Sequence, residues 1–219
     1  MRLQSLNISR SKAIFHKGEE VQTGIFKAPA KGPLMARTLG IEGDEQADLV
    51  LHGGIDKAVY AFPSEHYSYY QNILSEEPYS PGQFGENLTT EGLLESAVRI
   101  GNRYRVGEAV FEVSQPRSPC YKFAIKMGSV EALSLCIGSA KTGFYLRVLR
   151  EGIIQSGDEI ETEYINDSAP TVEEIHALYY LDKNNLDGLT NAVSCNSLAE
   201  VFIETFKERI RQLGARLSP

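Results

Sequence analysis

The clearest period along the chain is two. In "VRIGNRYRVGEAVFEVSQP", Tyr104 and Val106 alternate with polar residues, Gly107-Glu108 makes a turn, and Ala109, Phe111 and Val113 resume the alternation. Successive strand side chains point to opposite faces, so this pattern predicts a hairpin. "FYLRVLREGIIQSGDEIETEYI" repeats the style, with turn chemistry at Gly152 and at Gly157-Asp158. Nearer the start, "EEVQTGIFKAP" alternates Val21, Thr23 and Ile25, which predicts a strand ended by Pro29. Two helical segments interrupt these strands. "SEHYSYYQNIL" has Ser64 as its N-cap, and "SVEALSLCIG" has Ser129 in the same role.

The period changes near "NDSAP", Asn166 to Pro170. "TVEEIHALYY" opens with Thr171 and Glu174 in capping-box spacing, and "SLAEVFIETFKERIRQL" opens with Ser197 and Glu200 in the same spacing. In the latter, Leu198, Val201, Phe202, Phe206, Ile210 and Leu213 recur at helical steps and predict one apolar face. "KNNLDGLTNAV" supplies a short middle helix. The expected organisation is therefore a β domain over residues 1–168 and a helical unit over residues 169–219. Many short strands punctuated by turns suggest a barrel or a sandwich.

A chain of 219 residues with 42% hydrophobic and 23% charged positions can bury a core without staples. A net charge of −7 argues against a nucleic-acid or anionic-membrane partner, since both want a basic footprint. Cys120, Cys136 and Cys195 are odd in number and lack CxxC spacing, which argues against a disulfide framework or zinc site and for a reducing compartment. "MRLQSLNISRSKAIF" has no apolar signal-like core, and no segment approaches the ~20 apolar residues of a spanning helix. We expect a soluble cytoplasmic protein.

Three stretches could carry chemistry. In "SQPRSPCYK", Cys120 has Arg117 three residues before it and Lys122 two residues after it, and nearby cations lower a thiol's pKa. Pro116 and Pro119 hold their predecessors extended, which fixes the direction of the loop. A lone cysteine is equally well a small buried apolar residue, and Cys136 and Cys195 read as that. In "LHGGIDK", His52 is a candidate proton carrier or an ordinary turn residue, and Gly53-Gly54 permits close backbone approach. Asp44 and Glu45, after the turn glycine Gly43, read as solvated. In "GQFGENLTTEGL", Asn87 sits in a glycine-rich loop that either lines a polar pocket or, the plainer reading, caps a surface. There is no Walker loop, GxGxxG, HExxH or GxSxG.

Taken in order, "GIEGDEQAD", "HGGIDKAVYAFPSEHY", "FGENLTTEGL", "GNRYRVGEAVFEVSQPRSPCYK" and "TGFYLRVLREGII" resemble a MOSC-domain protein of the stand-alone bacterial YiiM-like type. The tail resembles the three-α domain of that subgroup. The resemblance implies a closed, mixed β-barrel decorated with helices, similar to the pyruvate kinase barrel domain. MOSC domains form the C-terminal part of molybdenum cofactor sulfurases, and related proteins carry molybdenum cofactor and reduce N-hydroxylated compounds to amines. YiiM-like proteins are associated with detoxifying bases such as 6-hydroxylaminopurine.

The family's cysteine falls on Cys120, implying a thiolate ligand to molybdenum. Arg117, Ser118 and Lys122 are then candidates for the cofactor phosphate, with Arg37 as a further cation. Asn87 is a candidate contact to pterin or substrate, Gly53 and Gly54 a backbone approach, and His52 a proton donor. Electrons would come from a separate donor protein. The sulfurases' pyridoxal-phosphate domain has no room in this chain, so no pyridoxal phosphate is expected. Other readings are a non-catalytic cofactor carrier, a persulfide carrier on Cys120, and a barrel with an interaction tail and no cofactor. The tail can dock a partner, pack a homodimer or cover the barrel.

Overall fold

The computed structural model describes residues 1–47, 53–75 and 77–214. The first half of the chain runs β1 (Arg2–Ile8), β2 (Lys12–His16), β3 (Glu19–Thr23), β4 (Ala28–Pro29), β5 (Leu34–Arg37), β6 (Gly40–Ile41), a 3-10 turn at Ile55–Lys57, β7 (Val59–Pro63), a 3-10 turn at Ser64–His66, α1 (Tyr67–Leu74) and β8 (Leu88–Glu91). Then follow β9 (Arg103–Val106), β10 (Ala109–Pro116), α2 (Tyr121–Met127), α3 (Glu131–Ser139), β11 (Phe144–Arg150), β12 (Gly152–Ile154) and β13 (Ile160–Tyr164). The tail is α4 (Val172–Tyr180), α5 (Leu186–Val193) and α6 (Glu200–Gln212).

Eight strands form one mixed sheet in the order β13-β9-β10-β11-β7-β8-β1-β4. Only β7 and β8 pair in parallel within it, with Ala61 opposite Leu88. The sheet curls until β1 meets the start of β13. Leu3 N–H donates to Asp158 O at 2.9 Å, and Ile160 N–H to Met1 O at 2.9 Å, around an isolated Arg2–Glu159 bridge. This corrects the expected closed barrel, because a single bridge is not a continuous ladder. The physical reason lies in β13. Only Ile160 is buried there, and Glu161 to Tyr164 are exposed, so no apolar face draws the strand along β1. Its partner is β9 instead.

The expected β9–β10 hairpin is present, with Ala109 opposite Val106, but all eight residues of β10 are buried. The polar side of that strand is covered and paired. Arg103 Nε and Arg147 Nη1 both donate to Glu112 at 3.0 Å, and Ser114 Oγ donates to Asp56 O at 2.6 Å.

One apolar core joins the sheet to the tail. Leu3, Phe111, Val113 and Phe144 share it with Val172, Ile175, Phe202 and Phe206. Each such side chain contributes ~1.5–3 kcal/mol by leaving water. A second, aromatic cluster of Tyr60, Phe62, Tyr70, Phe84 and Phe123 lies under the candidate site, with Phe62 and Phe84 stacked 4.0 Å apart.

Helix starts divide. Thr171 and Glu174 form the expected capping box. Ser129 lies one residue before the N-cap of α3, which is Val130, although its Oγ still accepts from Glu131 N–H at 3.1 Å. Ser64 instead opens a 3-10 turn ahead of α1, whose N-cap is His66 with no side-chain cap bond. Ser197 does not cap α6. The chain turns through Ser197 and Leu198 and α6 starts only after an extended Ala199, because Ser197 O accepts from Arg147 and Ala199 N–H donates to Ser114 O at 3.1 Å. On α6 itself Phe202, Phe206 and Ile210 are buried and Val201 is exposed, as is Leu213 just past its end.

Candidate functional site

The site segment begins where β10 ends. The backbone N–H of Arg117 donates to Gly143 O at 3.1 Å, so the segment leaves the sheet still pinned to the start of β11. Gly143 N–H in turn donates to Glu95 Oε1 at 2.6 Å, and the other Glu95 oxygen lies 2.6 Å from His66 Nε2. Pro119 then carries the chain into Cys120, which is extended and stands at the N-cap of α2. Cys120 is half-buried, whereas Cys136 and Cys195 are buried, as expected of structural thiols.

Arg117, Ser118, Cys120 and Lys122 line an open-mouthed cleft. The opposite wall comes from distant segments, including Lys27, Asp44, Lys57, Tyr60, Asn87 and Tyr145. Arg117 is 5% exposed, and its guanidinium lies 4.6 Å from the Phe123 ring centre and 5.1 Å from that of Tyr60. Among the described residues no carboxylate lies within ion-pair distance of it. Burial works against its charge. Tyr60, Tyr145, Cys136 and Cys120 oppose that effect and raise its pKa above the ordinary guanidinium value. It is a buried cation whose local company is ring faces and thiols. Lys122 reaches from the rim and donates to Gln22 O at 2.9 Å on β3.

Across the cleft, Lys27 and Asp44 form a buried ion pair, 8% and 4% exposed at their side chains. Burial lowers the Lys27 pKa, and Asp44 pulls it the other way. Asp44 also accepts from Ser9 N–H at 2.8 Å and from Asn87 Nδ2 at 2.9 Å. The solvated reading of Asp44 is therefore corrected: Gly43 does turn the chain, at φ 83°, but it turns the carboxylate inward. Asn87 lines the cleft with both amide hydrogens committed to the protein, one to Asp44 and one to Asn7 O at 3.2 Å. Its Oδ1 accepts from Tyr60 N–H at 3.2 Å. Asn87 thus cross-links the wall.

The loop holding Asn87 is buried, which corrects the surface-loop reading. Glu86 is fully buried and accepts from Gly82 N–H at 2.8 Å, Phe84 N–H at 2.9 Å, Thr89 Oγ1 at 2.8 Å and the Tyr67 hydroxyl. Burial raises its pKa, and these donors lower it.

Arg37 is not brought to the cleft. It sits on β5 with a 56% exposed side chain, beside Glu42 and Glu151. Gly54 has φ 91° and precedes the 3-10 turn that presents Lys57 to the cleft. Gly53 is the half-buried residue before it, and neither glycine is among the described lining residues. His52 lies outside the described residues. The residues that sequence reasoning missed are Lys27, Lys57, Tyr60 and Tyr145. The Tyr145–Tyr60 pair is set by strand register between β11 and β7, which no local pattern announces.

The chain pairs a curled mixed sheet with a cysteine–arginine segment at the end of a buried strand. Residues 48–161 match the MOSC domain, and the chain belongs to that family. Residues 170–213 match the YiiM-like 3-alpha helix domain, which fixes the subgroup. The chain is 40% identical over 205 residues to "Uncharacterized protein YflK" of Bacillus subtilis, covering 94% of this chain and 92% of that one. It is similar to the crystal structure of YiiM from Geobacillus stearothermophilus, with TM-score 0.82, 32% identity, and coverage of 95% and 98%. It is also 32% identical over 200 residues to a Gibberella moniliformis protein named "Reductase", covering 89% of this chain and 35% of that one.

Proposed function

We propose that the cleft binds molybdenum cofactor and that the protein reduces N-hydroxylated compounds, such as 6-hydroxylaminopurine, to amines. The observation that carries this reading is the buried guanidinium of Arg117 beside the Cys120 thiol, in a cleft, with no described carboxylate paired to it. A cation kept out of water without a counter-ion is costly unless an anionic ligand completes the site. The donor set fits the cofactor: a thiol for a soft metal, and cations and a hydroxyl for a phosphate.

Cys120 would ligate molybdenum through its thiolate, held in direction by the Pro119 restraint and by its place at the head of α2. Arg117 would grip the phosphate bidentately, with Ser118 and Lys122 beside it. When bound, the cofactor supplies the two-electron reduction that removes oxygen from an N–OH group. The chain's own part is to orient the substrate and supply protons. Lys27, with its pKa lowered by burial, is one proton-bearing group on the opposite wall. His52 is the second candidate. The reading needs an electron-donor protein. The fungal relative's name supports reduction, and the family supports the cofactor.

Metal analysis of protein made in a cofactor-competent host tests this. Stoichiometric molybdenum is expected, lost on Cys120→Ala, with turnover of 6-hydroxylaminopurine using an artificial electron donor. Molybdenum without turnover would replace the reductase with a carrier. Sulfane sulfur on Cys120 without molybdenum would overturn both.

A further inference from the structure

The peptide pair Thr142–Gly143, just ahead of β11, grips Arg117 at both ends. Gly143 O accepts from the Arg117 backbone N–H at 3.1 Å. Thr142 O accepts from the Tyr60 hydroxyl at 2.7 Å, and the Tyr60 ring lies 5.1 Å from the Arg117 guanidinium. Thr142 Oγ1 also donates to Gly143 O at 2.9 Å, so that carbonyl has two donors.

Gly143 has a left-handed backbone, φ +66°, one residue before the ladder of β11 begins. Its N–H is bonded to a side chain, Glu95 Oε1, at 2.6 Å. Glu95 is 3% exposed, and its other oxygen lies 2.6 Å from Nε2 of buried His66. The His66 ring stands edge-on to Phe62. The Glu95 main chain is fixed as well. Leu94 O accepts from the N–H groups of Ala97 and Val98, both at 2.9 Å, which closes a turn around Glu95. That turn docks on the start of α4: Glu95 O accepts from Glu173 N–H at 3.1 Å and Val98 O from Val172 N–H at 2.9 Å. A carboxylate this deeply buried needs partners for its oxygens, and Glu95 has one at each. Side chains locked in this way hold a binding group to within about 0.5 Å.

We propose that Glu95, with His66 behind it, is the positioning residue of the site segment: through the Thr142–Gly143 peptide it fixes both the backbone and the guanidinium of Arg117. Glu95 is not among the described residues that line the cleft, so it is no catalytic residue and acts through Arg117. The use of that guanidinium to hold an anion rests on the cleft reading above. The hold on the Arg117 backbone does not.

Amide hydrogen exchange at Arg117, resolved by NMR on the full-length protein, tests this. E95A is expected to speed it at least about tenfold, the worth of a hydrogen bond to a charged group. E95Q keeps an acceptor for Gly143 and a donor for His66, so its Arg117 rate should stay near that of the unaltered protein. E112A removes another buried carboxylate, on the same strand as the site segment and paired to Arg103 and Arg147, and should leave the Arg117 rate unchanged. Should E95A not fold, H66F carries the test. It keeps a ring against Phe62 and removes one of the two bonds to Glu95, so acceleration of about fivefold is expected, the worth of one net hydrogen bond. An unchanged Arg117 rate in whichever of these two variants folds, or equal acceleration in E112A, overturns the proposal. Affinity for inorganic phosphate is measured calorimetrically on the same samples. It should fall about fivefold in E95A, as one bond of a bidentate grip is lost, and hold in E112A. Unchanged phosphate affinity in E95A also overturns the proposal, since Glu95 would then hold the segment without placing the cation. If the exchange rates behave as expected while the unaltered protein binds no phosphate, the positioning role stands and the cleft reading fails.

Discussion

The side-chain amide of Asn87 donates to Asp44 at 2.9 Å, and that carboxylate in turn holds the buried ammonium of Lys27. Three segments far apart in the chain meet there to make one wall of the cleft. Asp44→Asn would leave Lys27 buried without its counter-ion. Removing one member of such a pair costs ~3–5 kcal/mol. Urea unfolding should show that loss, and replacing Lys27 with Met in the same protein should recover part of it. A loss below ~1 kcal/mol would mean the pair behaves as an exposed one.

Arg117 predicts the opposite sign. Its charge is buried among rings and thiols, so Arg117→Met keeps most of the packing on Phe123 and Tyr60 and removes the desolvation cost. Replacing a buried charge with a well-packed apolar side chain is often neutral or stabilising by ~1–4 kcal/mol. Thermal unfolding of the ligand-free variant should show an equal or higher Tm. Affinity for inorganic phosphate, measured calorimetrically, should fall at least about tenfold, since a charge-assisted bond worth ~1.5–3 kcal/mol is lost. A stability loss with unchanged phosphate binding would make Arg117 a structural residue.

Local patterns disclosed some of this architecture and hid the rest, for physical reasons. The β9–β10 hairpin was legible because its alternation and its Gly107 turn are local. The burial of its polar side was not, since Glu112 and Ser114 find partners in Arg147 and Asp56, 35 and 58 residues away. The capping box at Thr171 was legible, whereas the one read at Ser197 failed because tertiary bonds at Ser197 and Ala199 delay the start of α6 until after Ala199. One wall of the cleft lies in a single nine-residue stretch and could be read as a constellation. The other is assembled by strand register and by the inward turn at Gly43, and Arg37, close to a family motif, faces solvent instead.

His176 gives a pH dependence. It is fully buried, its Nε2 donates to Ile137 O, and its Nδ1 has no partner among the described residues. Burial lowers its pKa from the ordinary 6.5. The unfolded chain then takes up a proton below about pH 6.5 that the folded chain resists, so stability falls as pH drops through that window. Between pH 7.5 and 5.5, unfolding free energy from urea titration should fall, and the fall should be smaller in His176→Gln. An identical slope in the variant would assign the acid sensitivity to other groups.

Gly143 and Gly128 share a left-handed backbone, at φ +66° and +67°, and predict very different costs. A Cβ on Gly143 would lie 2.4 Å from Ala61 O and 2.7 Å from Tyr60 Cε2, in a strand pairing that cannot give way. It would also displace the carbonyl that anchors Arg117 and the N–H that reaches Glu95. A Cβ on Gly128, which ends α2, would meet nothing within 4 Å. Gly128→Ala should therefore cost only the backbone preference, ~1–2 kcal/mol. Gly143→Ala adds a backbone clash and belongs with the exceptional losses above ~4 kcal/mol. Chemical denaturation of both variants checks the contrast. Similar losses at the two sites would mean that β7 and β11 yield at this point, and that the Arg117 anchor is softer than its hydrogen bonds suggest.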